Sequence, residues 1–204
     1  GGHLGIEYHL SGKAEGQMMV NMPGTFSIYN SLAAIAVANE MQVAFPVIQE
    51  ALKTVKVRGR VELIPRSDAF TILIDYAHNA VSLESILETL REYHPKRLIA
   101  VFGCGGNRSK TRRYEMGEVA GRMADFTIIT SDNPRYEEPQ DIINDIITGM
   151  SKTSGSYIEI IDRKEAFRYA ILHAEPGDVI VLAGKGHEDY QEIKGVKHHM
   201  DERE

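Results

Sequence analysis

Cysteine is almost missing from this chain. Among its 204 residues only Cys104 carries a thiol, which excludes an internal disulfide framework and suits a reducing cytoplasm. Long apolar runs are missing as well. None approaches the roughly 20 residues that a bilayer-spanning helix needs. The stretch Gly1 to Leu10 lacks the basic and apolar regions of a secretory leader. Positive charge is scarce too: 23 Lys and Arg against 29 Asp and Glu leave a net charge of −6, which argues against broad nucleic-acid binding. No GxxxxGK(S/T) phosphate loop occurs, and the glycines at 103 and 105 are followed by Arg108 where a dinucleotide fingerprint needs a third glycine. What is left is an ordinary composition, 43% hydrophobic and 25% charged. It is enough for one large domain, or one domain plus part of another. A cytoplasmic protein that handles small molecules is expected, with neither membrane nor nucleic acid as a partner.

Two regions read differently. Residues 6–22 have weak strand character broken at Ser11-Gly12-Lys13 and Glu15-Gly16, as in a polar hairpin. Ile28 to Met41 is alanine-rich, with Ile28, Leu32, Ile35, Ala36 and Val37 spaced for a well-buried helix. A shorter helix is expected from Pro46, since proline is tolerated in a first helical turn. Arg58-Gly59-Arg60 reads as a hinge, giving domains at 1–58 and 59–204. Beyond it, apolar runs at 71–74, 98–102, 126–129, 157–161 and 179–182 alternate with helical patterns. Those patterns are Leu83, Ile86, Leu87 and Leu90, then Pro139 with Ile142, Ile143, Ile146 and Ile147, then Phe167 to Leu172 behind an Asp162–Glu165 capping box. Nearly continuous apolar strands alternating with helices imply an α/β fold with a Rossmann-like, doubly wound and mostly parallel sheet. Residues 194–204 are expected to form a short strand and then fray.

In such a sheet, ligands sit beyond the carboxyl ends of the strands. Four runs end in unusually polar loops: Asp75-Tyr76-Ala77-His78-Asn79, Gly103 to Arg108, Ser131-Asp132-Asn133-Pro134-Arg135, and Gly184-Lys185-Gly186-His187-Glu188. Each has a plain alternative. Asp75 and His78 can cap a helix, the glycine loop can be an empty turn, and Lys185 with Glu188 can be an exposed ion pair worth little. Arg112 and Arg113 fit solvated helix charges better than a ligand site. Together, however, the loops put carboxylates, amides and guanidinium groups on one edge. Arg108 and Arg135 suit carboxylates. Asp132 and Glu188 suit ammonium groups, and Gly184 and Gly186 allow close backbone approach. That set suits a zwitterionic amino acid.

The segments Gly59–Glu62 (GRVE), Asp75–His78 (DYAH), Phe102–Arg108 (FGCGGNR), Asp132–Arg135 (DNPR) and Gly184–Gln191 (GKGHEDYQ) follow the order seen in the Mur ligases. Nearly the whole chain resembles the UDP-N-acetylmuramoyl-tripeptide synthetases of that family. Pro23–Ala36 looks like the last part of their central ATPase domain. The resemblance implies ATP-dependent amide formation through an acyl phosphate, with Mg2+, in bacterial peptidoglycan precursor synthesis. DNPR marks the branch that adds meso-diaminopimelate to a UDP-N-acetylmuramoyl dipeptide. The family's motifs then place Arg108, Asp132, Asn133, Pro134, Arg135, Gly184 and Glu188 at diaminopimelate. They place Asn30, Arg60 and Asp75 at the nucleotide, with Tyr76, His78, Lys185 and His187 in support. Three departures stand out: Ser27 replaces an asparagine, Asn79-Ala80-Val81 replaces Thr-Pro-Asp, and Asn107 and Ser109 replace two acids. The family's phosphate loop and magnesium ligands are expected in N-terminal and central domains preceding Gly1. This stretch therefore reads as part of a longer ligase, inactive alone and with no metal ligand assigned. Its alanine-rich helix is expected to lack its cover and to favour a dimer. The rival readings are a non-catalytic Rossmann-like nucleotide-binding module, suggested by the Gly103 loop, and the L-lysine-adding sister ligase, which Arg135 speaks against.

Overall fold

The computed structural model describes residues 5–12 and 14–204; Lys13 of the expected hairpin and the first four residues of the leader reading lie outside them. The chain divides into two units, Gly1–Val57 and Arg58–Glu204. In the first, β1 (Ile6–Leu10) and β2 (Gly16–Val20) pair antiparallel, with Ile6 opposite Val20. Helix α1 (Thr25–Glu40) follows, then α2 (Phe45–Thr54) with Pro46 in its first turn. Met18, Ile35 and Ile48 form this unit's core.

The expectation of a well-buried α1 fails. Its inward stripe is Ser27, Ser31 and Ile35, whereas Tyr29, Val37 and Met41 are 70%, 61% and 72% exposed. The inward hydroxyls are satisfied locally. Ser27 Oγ donates to the Pro23 carbonyl, and Ser31 Oγ to that of Ile28, each at 2.7 Å. An alanine-rich helix that is apolar nearly all round has no sequence signal for which side faces in.

In the second unit, β3 (Glu62–Ile64) lies antiparallel to β4 (Thr71–Asp75) at one sheet edge. This short strand is absent from the sequence reading, because three residues are too few to show a period. Then follow α3 (Ala80–Arg91), β5 (Leu98–Phe102), α4 (Lys110–Met123), β6 (Phe126–Ile129) and α5 (Pro139–Met150). Beyond these come β7 (Tyr157–Glu159), α6 (Arg163–Leu172) and β8 (Val179–Ala183). The sheet order is β3-β4-β8-β5-β6-β7, parallel apart from β3.

Both faces of this sheet are covered. Ala166 and Ala170 of α6 pack against Ile72, Ile74, Ile99, Val101, Ile128, Ile180 and Leu182. The alternate strand residues Leu73, Ala100 and Val181 are fully buried on the other face. There α3, α4 and α5 pack in a row. Helices α4 and α5 approach closely because Gly117 and Gly149 lie at the crossing: a Cβ on either would sit 2.1 or 1.9 Å from a carbonyl oxygen of the other helix. At about 1.5–3 kcal/mol for each fully buried large apolar side chain, this two-sided core holds the strand ends in place.

The tail does not fray. β9 (Tyr190–Ile193) and β10 (Val196–His199) form an antiparallel hairpin, after which Met200 and Glu202 are buried. Arg203 pairs with Glu62 at 2.7 Å and Asp201 at 2.8 Å. The expected fraying is thereby corrected: Glu62 and Arg163, far along the chain, hold this end. No helix among the described residues is long and apolar enough to cross a membrane.

Candidate functional site

Strands β4, β8, β5 and β6 are consecutive neighbours in the sheet, so their four carboxyl-end loops lie side by side. Direct contacts join them. Gly184 N–H donates to the Asp75 carbonyl at 3.0 Å, and Gly106 N–H to the Asn133 carbonyl at 2.8 Å. Gly106 must lack a side chain, since a Cβ there would meet the Pro134 oxygen at 1.9 Å. Gly186 has φ 53°, and its Cβ would lie 2.7 Å from that of Tyr76.

At the centre is Lys185, with a side chain 0% exposed. The exposed Lys185–Glu188 pair of the plain reading is thereby corrected. Lys185 Nζ donates to Asp132 Oδ1 at 3.2 Å, Asn133 Oδ1 at 2.9 Å and Glu188 Oε2 at 3.2 Å. Asn133 Nδ2 donates to Glu188 at 2.9 Å, while Asn133 Oδ1 also accepts from the Glu192 amide at 2.8 Å. This set fixes the amide's orientation and holds two loops and β9 in one network. Two carboxylates share one ammonium, so the cluster keeps one net negative charge. It suits a further cation at its surface.

Pro134 is buried, and Arg135 beside it is partly exposed with φ 53°. That conformation is uncommon for a non-glycine residue. It is held on both sides by β9 and the residue after it: Arg135 N–H donates to Glu192 O at 3.0 Å, and Lys194 N–H donates to Arg135 O at 2.7 Å. The guanidinium donates through Nη1 to Gly106 O at 2.8 Å and faces Glu192 at 3.3 Å through Nε. Arg108 is exposed. Gln191 Nε2 donates to Asp132 O at 2.6 Å and Ser131 Oγ at 3.1 Å. Gln191 and Glu192 were not singled out from sequence; both fall in the middle of β9, in or beside the GKGHEDYQ segment.

The glycine loop is braced from below. Arg113, 1% exposed, donates to Glu137 at 2.8 Å and to Asp145 at 2.9 Å, and Glu137 also accepts from the Asn107 amide. Its assignment to a solvated helix face is therefore wrong. Its counter-charges come from the segment before α5 and from α5 itself, which helical spacing in α4 could not show. Cys104 is buried with its Sγ 3.6 Å from Met116 Sδ, and burial pushes its thiol up to about 12. It is chemically quiet at neutral pH.

A second patch gathers at the β4 end. The Tyr76 ring lies 4.8 Å from that of His78 and 5.1 Å from that of His187, with Arg60 Cζ 4.9 Å from its centroid. Asp75 does not cap α3; Asn79 does, in a capping box with Ser82. Asp75 accepts from the Val61 amide at 2.9 Å and the Ala77 amide at 2.8 Å. Burial raises its carboxyl above the usual range, against those two hydrogen bonds. It acts from behind Arg60, fixing the Val61 backbone at φ 45°. Asn30 is an exposed residue of α1 in the first unit. A cavity of about 520 Å³ lies at the opposite, amino edge of the sheet, lined by Ile99, Phe126, Ile128 and Tyr169 among others. It is remote from this chemistry.

Residues 59–186 match the family described as Mur ligase, glutamate ligase domain. The chain is 49% identical over 188 residues to a UDP-N-acetylmuramoyl-L-alanyl-D-glutamate--2,6-diaminopimelate ligase of Caldanaerobacter subterraneus subsp. tengcongensis, covering 92% of this chain and 39% of that protein. It is 44% identical over 202 residues to the like-named ligase of Clostridium perfringens, covering 98% and 41%. A solved structure of a ligase of that name superposes with a TM-score of 0.69 at 36% identity, over 94% of this chain and 39% of the other. The chain thus spans about two fifths of the length of these curated relatives. With the doubly wound sheet and the motif-bearing loops at its carboxyl edge, the match over residues 59–186 makes this chain a member of the Mur ligase family.

Proposed function

We propose that this chain supplies the amino-acid site of an ATP-dependent ligase. That ligase would add meso-diaminopimelate to UDP-N-acetylmuramoyl-L-alanyl-D-glutamate in the cytoplasmic synthesis of a bacterial peptidoglycan precursor. The observation that carries the reading is the cluster of Asp132 and Glu188 around the buried Lys185, with Arg135 on the loop of Asp132 and Arg108 on the neighbouring one. Its residual negative charge suits an ammonium group, and the two guanidinium groups suit carboxylates. Diaminopimelate carries two of each. Lys185 would hold the carboxylates in place without ever touching the ligand, while Asn133 keeps the two loops in register. Once bound, the amino acid presents an amine that attacks the dipeptide's acyl phosphate and displaces phosphate.

ATP supplies the phosphoryl group that makes the acyl phosphate. The residues here do not assemble the machinery for that step. Among the described residues no group of three or more His, Cys, Asp or Glu is placed to hold a metal ion, and no phosphate loop occurs. The Tyr76 ring, with Arg60, His78 and His187 around it, supports a nucleotide contact through Arg60, and Asp75 would help by holding the Val61 turn; Asn30, exposed on α1, is assigned there by the family motif alone. The chain alone is expected to bind the amino acid and not to turn over. The outward apolar face of α1 supports a cover contributed by a longer chain. In the isolated chain that face would favour self-association.

Isothermal calorimetry with meso-diaminopimelate and L-lysine tests the reading. Diaminopimelate should bind at least about tenfold more tightly, a difference near 1.4 kcal/mol, and Arg135→Ala should erase most of that preference. Equal affinity for both amino acids in the unmodified chain would sink it. Strong stabilisation by a dinucleotide in a thermal-shift screen would favour a nucleotide-binding module instead.

A further inference from the structure

The segment after β10 has a role that the site's own motifs do not reveal. Glu202 and Arg163 form an ion pair with side chains 0% and 1% exposed; Arg163 Nη2 and Nε reach Glu202 Oε1 at 2.6 and 2.8 Å. The same guanidinium donates to two backbone carbonyls, Ser131 O at 3.2 Å through Nη1 and Ala183 O at 3.0 Å through Nη2. Ser131 immediately precedes Asp132, and Ala183 immediately precedes Gly184. These carbonyls belong to the ends of β6 and β8, which are not neighbours; β5 lies between them. One planar fork therefore ties two site loops together across a third strand.

The neighbouring residues fasten the same loop from its other end. Met200 N–H donates to Asp189 O at 2.9 Å. Arg203 Nη2 donates to Gly186 O at 2.8 Å and pairs with Glu62. Loop 184–189 is thus held at Ala183, Gly186 and Asp189 by one short stretch and by the arginine that this stretch neutralises. Nothing in α6 itself supplies Arg163's counter-charge.

We propose that residues 200–203 are a positioning strap for the amino-acid site. Glu202 acts through Arg163 to set the spacing between Asp132 and Gly184, and Arg203 sets the turn at Gly186. The ligand specificity of that site rests on the function proposed above; the mechanical role of the strap does not. A buried ion pair adds little net stability over apolar residues of similar volume. Its use here is geometric, since an apolar pair would fill the space but donate to neither carbonyl.

The test uses the 204-residue chain and two variants, Glu202→Gln and the double substitution R163M with E202M. The double variant removes both charges together and so strands no buried ion; it should fold with a urea midpoint only modestly lowered by the two lost carbonyl hydrogen bonds. Hydrogen exchange at the hydrogen-bonded amides of Ser131, Gly184, Glu188 and Glu192 should nevertheless quicken about tenfold, while β5 amides stay protected. Affinity for meso-diaminopimelate should fall about tenfold or more, as displacement of a binding group implies. Glu202→Gln keeps the side chain's shape and one acceptor. Because both Arg163 donors reach that one oxygen and only the charge is lost, it should quicken the same amides by a smaller factor, and it decides the strap where the double variant folds poorly. Unchanged exchange at these four amides in a folded variant would overturn the strap. Failure of the unmodified chain to bind diaminopimelate would overturn the proposed function alone, because the exchange measurement still decides the strap.

Discussion

The two units of this chain use apolar residues in opposite ways. In unit 2 the sheet buries both faces, and Leu73, Ala100 and Val181 are fully covered on one of them while α6 covers the other. In unit 1 a single hairpin and two helices close over Met18, Ile35 and Ile48, and the apolar side of α1 faces outward. Unit 2 also exposes single apolar side chains such as Val81 and Leu172, but both faces of its sheet are covered. The difference teaches that the first unit is held together by a narrow stripe and the second by two layers. Charge follows the same division: the buried ion pairs of Lys185, Arg113 and Arg163 all lie in unit 2. A site that needs rigid loops sits on the unit that can hold them.

Four experiments would break or sharpen this contrast. The largest effect is expected from Lys185→Met, which leaves Asp132 and Glu188 close together without their shared cation. It should cost unit 2 on the order of 3–5 kcal/mol in urea unfolding followed by circular dichroism and hydrogen exchange. Amides of α1 should be unaffected; equal loss in both units would mean that they unfold as one. Next is Ile35→Ala in the thin core of unit 1, at about 2–5 kcal/mol. Protection in α1 and β2 should vanish while β5 and β8 keep theirs, and retained α1 protection would show unit 1 to be sturdier than its three-residue core suggests.

Acid should act on unit 2 more gently and with a defined sign. Arg203 holds Glu62 below the ordinary glutamate range, and Arg113 does the same for Glu137. Groups whose folded value is depressed contribute stability above their unfolded value of about 4.3, and that contribution is lost as pH falls through the lower folded value. Stability measured from pH 7 down to 3 should therefore drop below about pH 4.3, and Glu62→Gln should flatten part of the drop. A stability curve that rises in this window would contradict both assignments. The smallest effect on folding is expected from V37E with M41E on the outward face of α1, within about 0.5 kcal/mol. Light scattering should show less self-association than in the unmodified chain; a monomer before and after would remove the sticky-face reading.

Much of the site was legible one loop at a time. Asp132, Asn133, Arg135 and Glu188 stand out because strands that end in such polar runs are rare in an apolar sheet. What those residues do to each other was not legible. Lys185 reads as half of an exposed pair because Glu188 is only three residues away, yet its main partners Asp132 and Asn133 are more than fifty residues distant in sequence. Arg113 looks like an ordinary helix-surface charge for the same reason, and Arg163 carries no local signal at all. The departures from the family pattern also have local work: Ser27 bonds the Pro23 carbonyl, and Asn79 caps α3.

The sequence by itself determined most of the strands and helices of unit 2, though not β3 or β9, and that four chemically rich loops follow strands. Those are properties of local periodicity and turn chemistry, which neighbouring residues dictate. Only the tertiary structure decided that β8 inserts between β4 and β5, that Lys185 is buried among Asp132, Asn133 and Glu188, and that Glu202 returns to neutralise Arg163. Each of these depends on a partner far along the chain. The burial of a charge is set by that partner, and no local pattern encodes it.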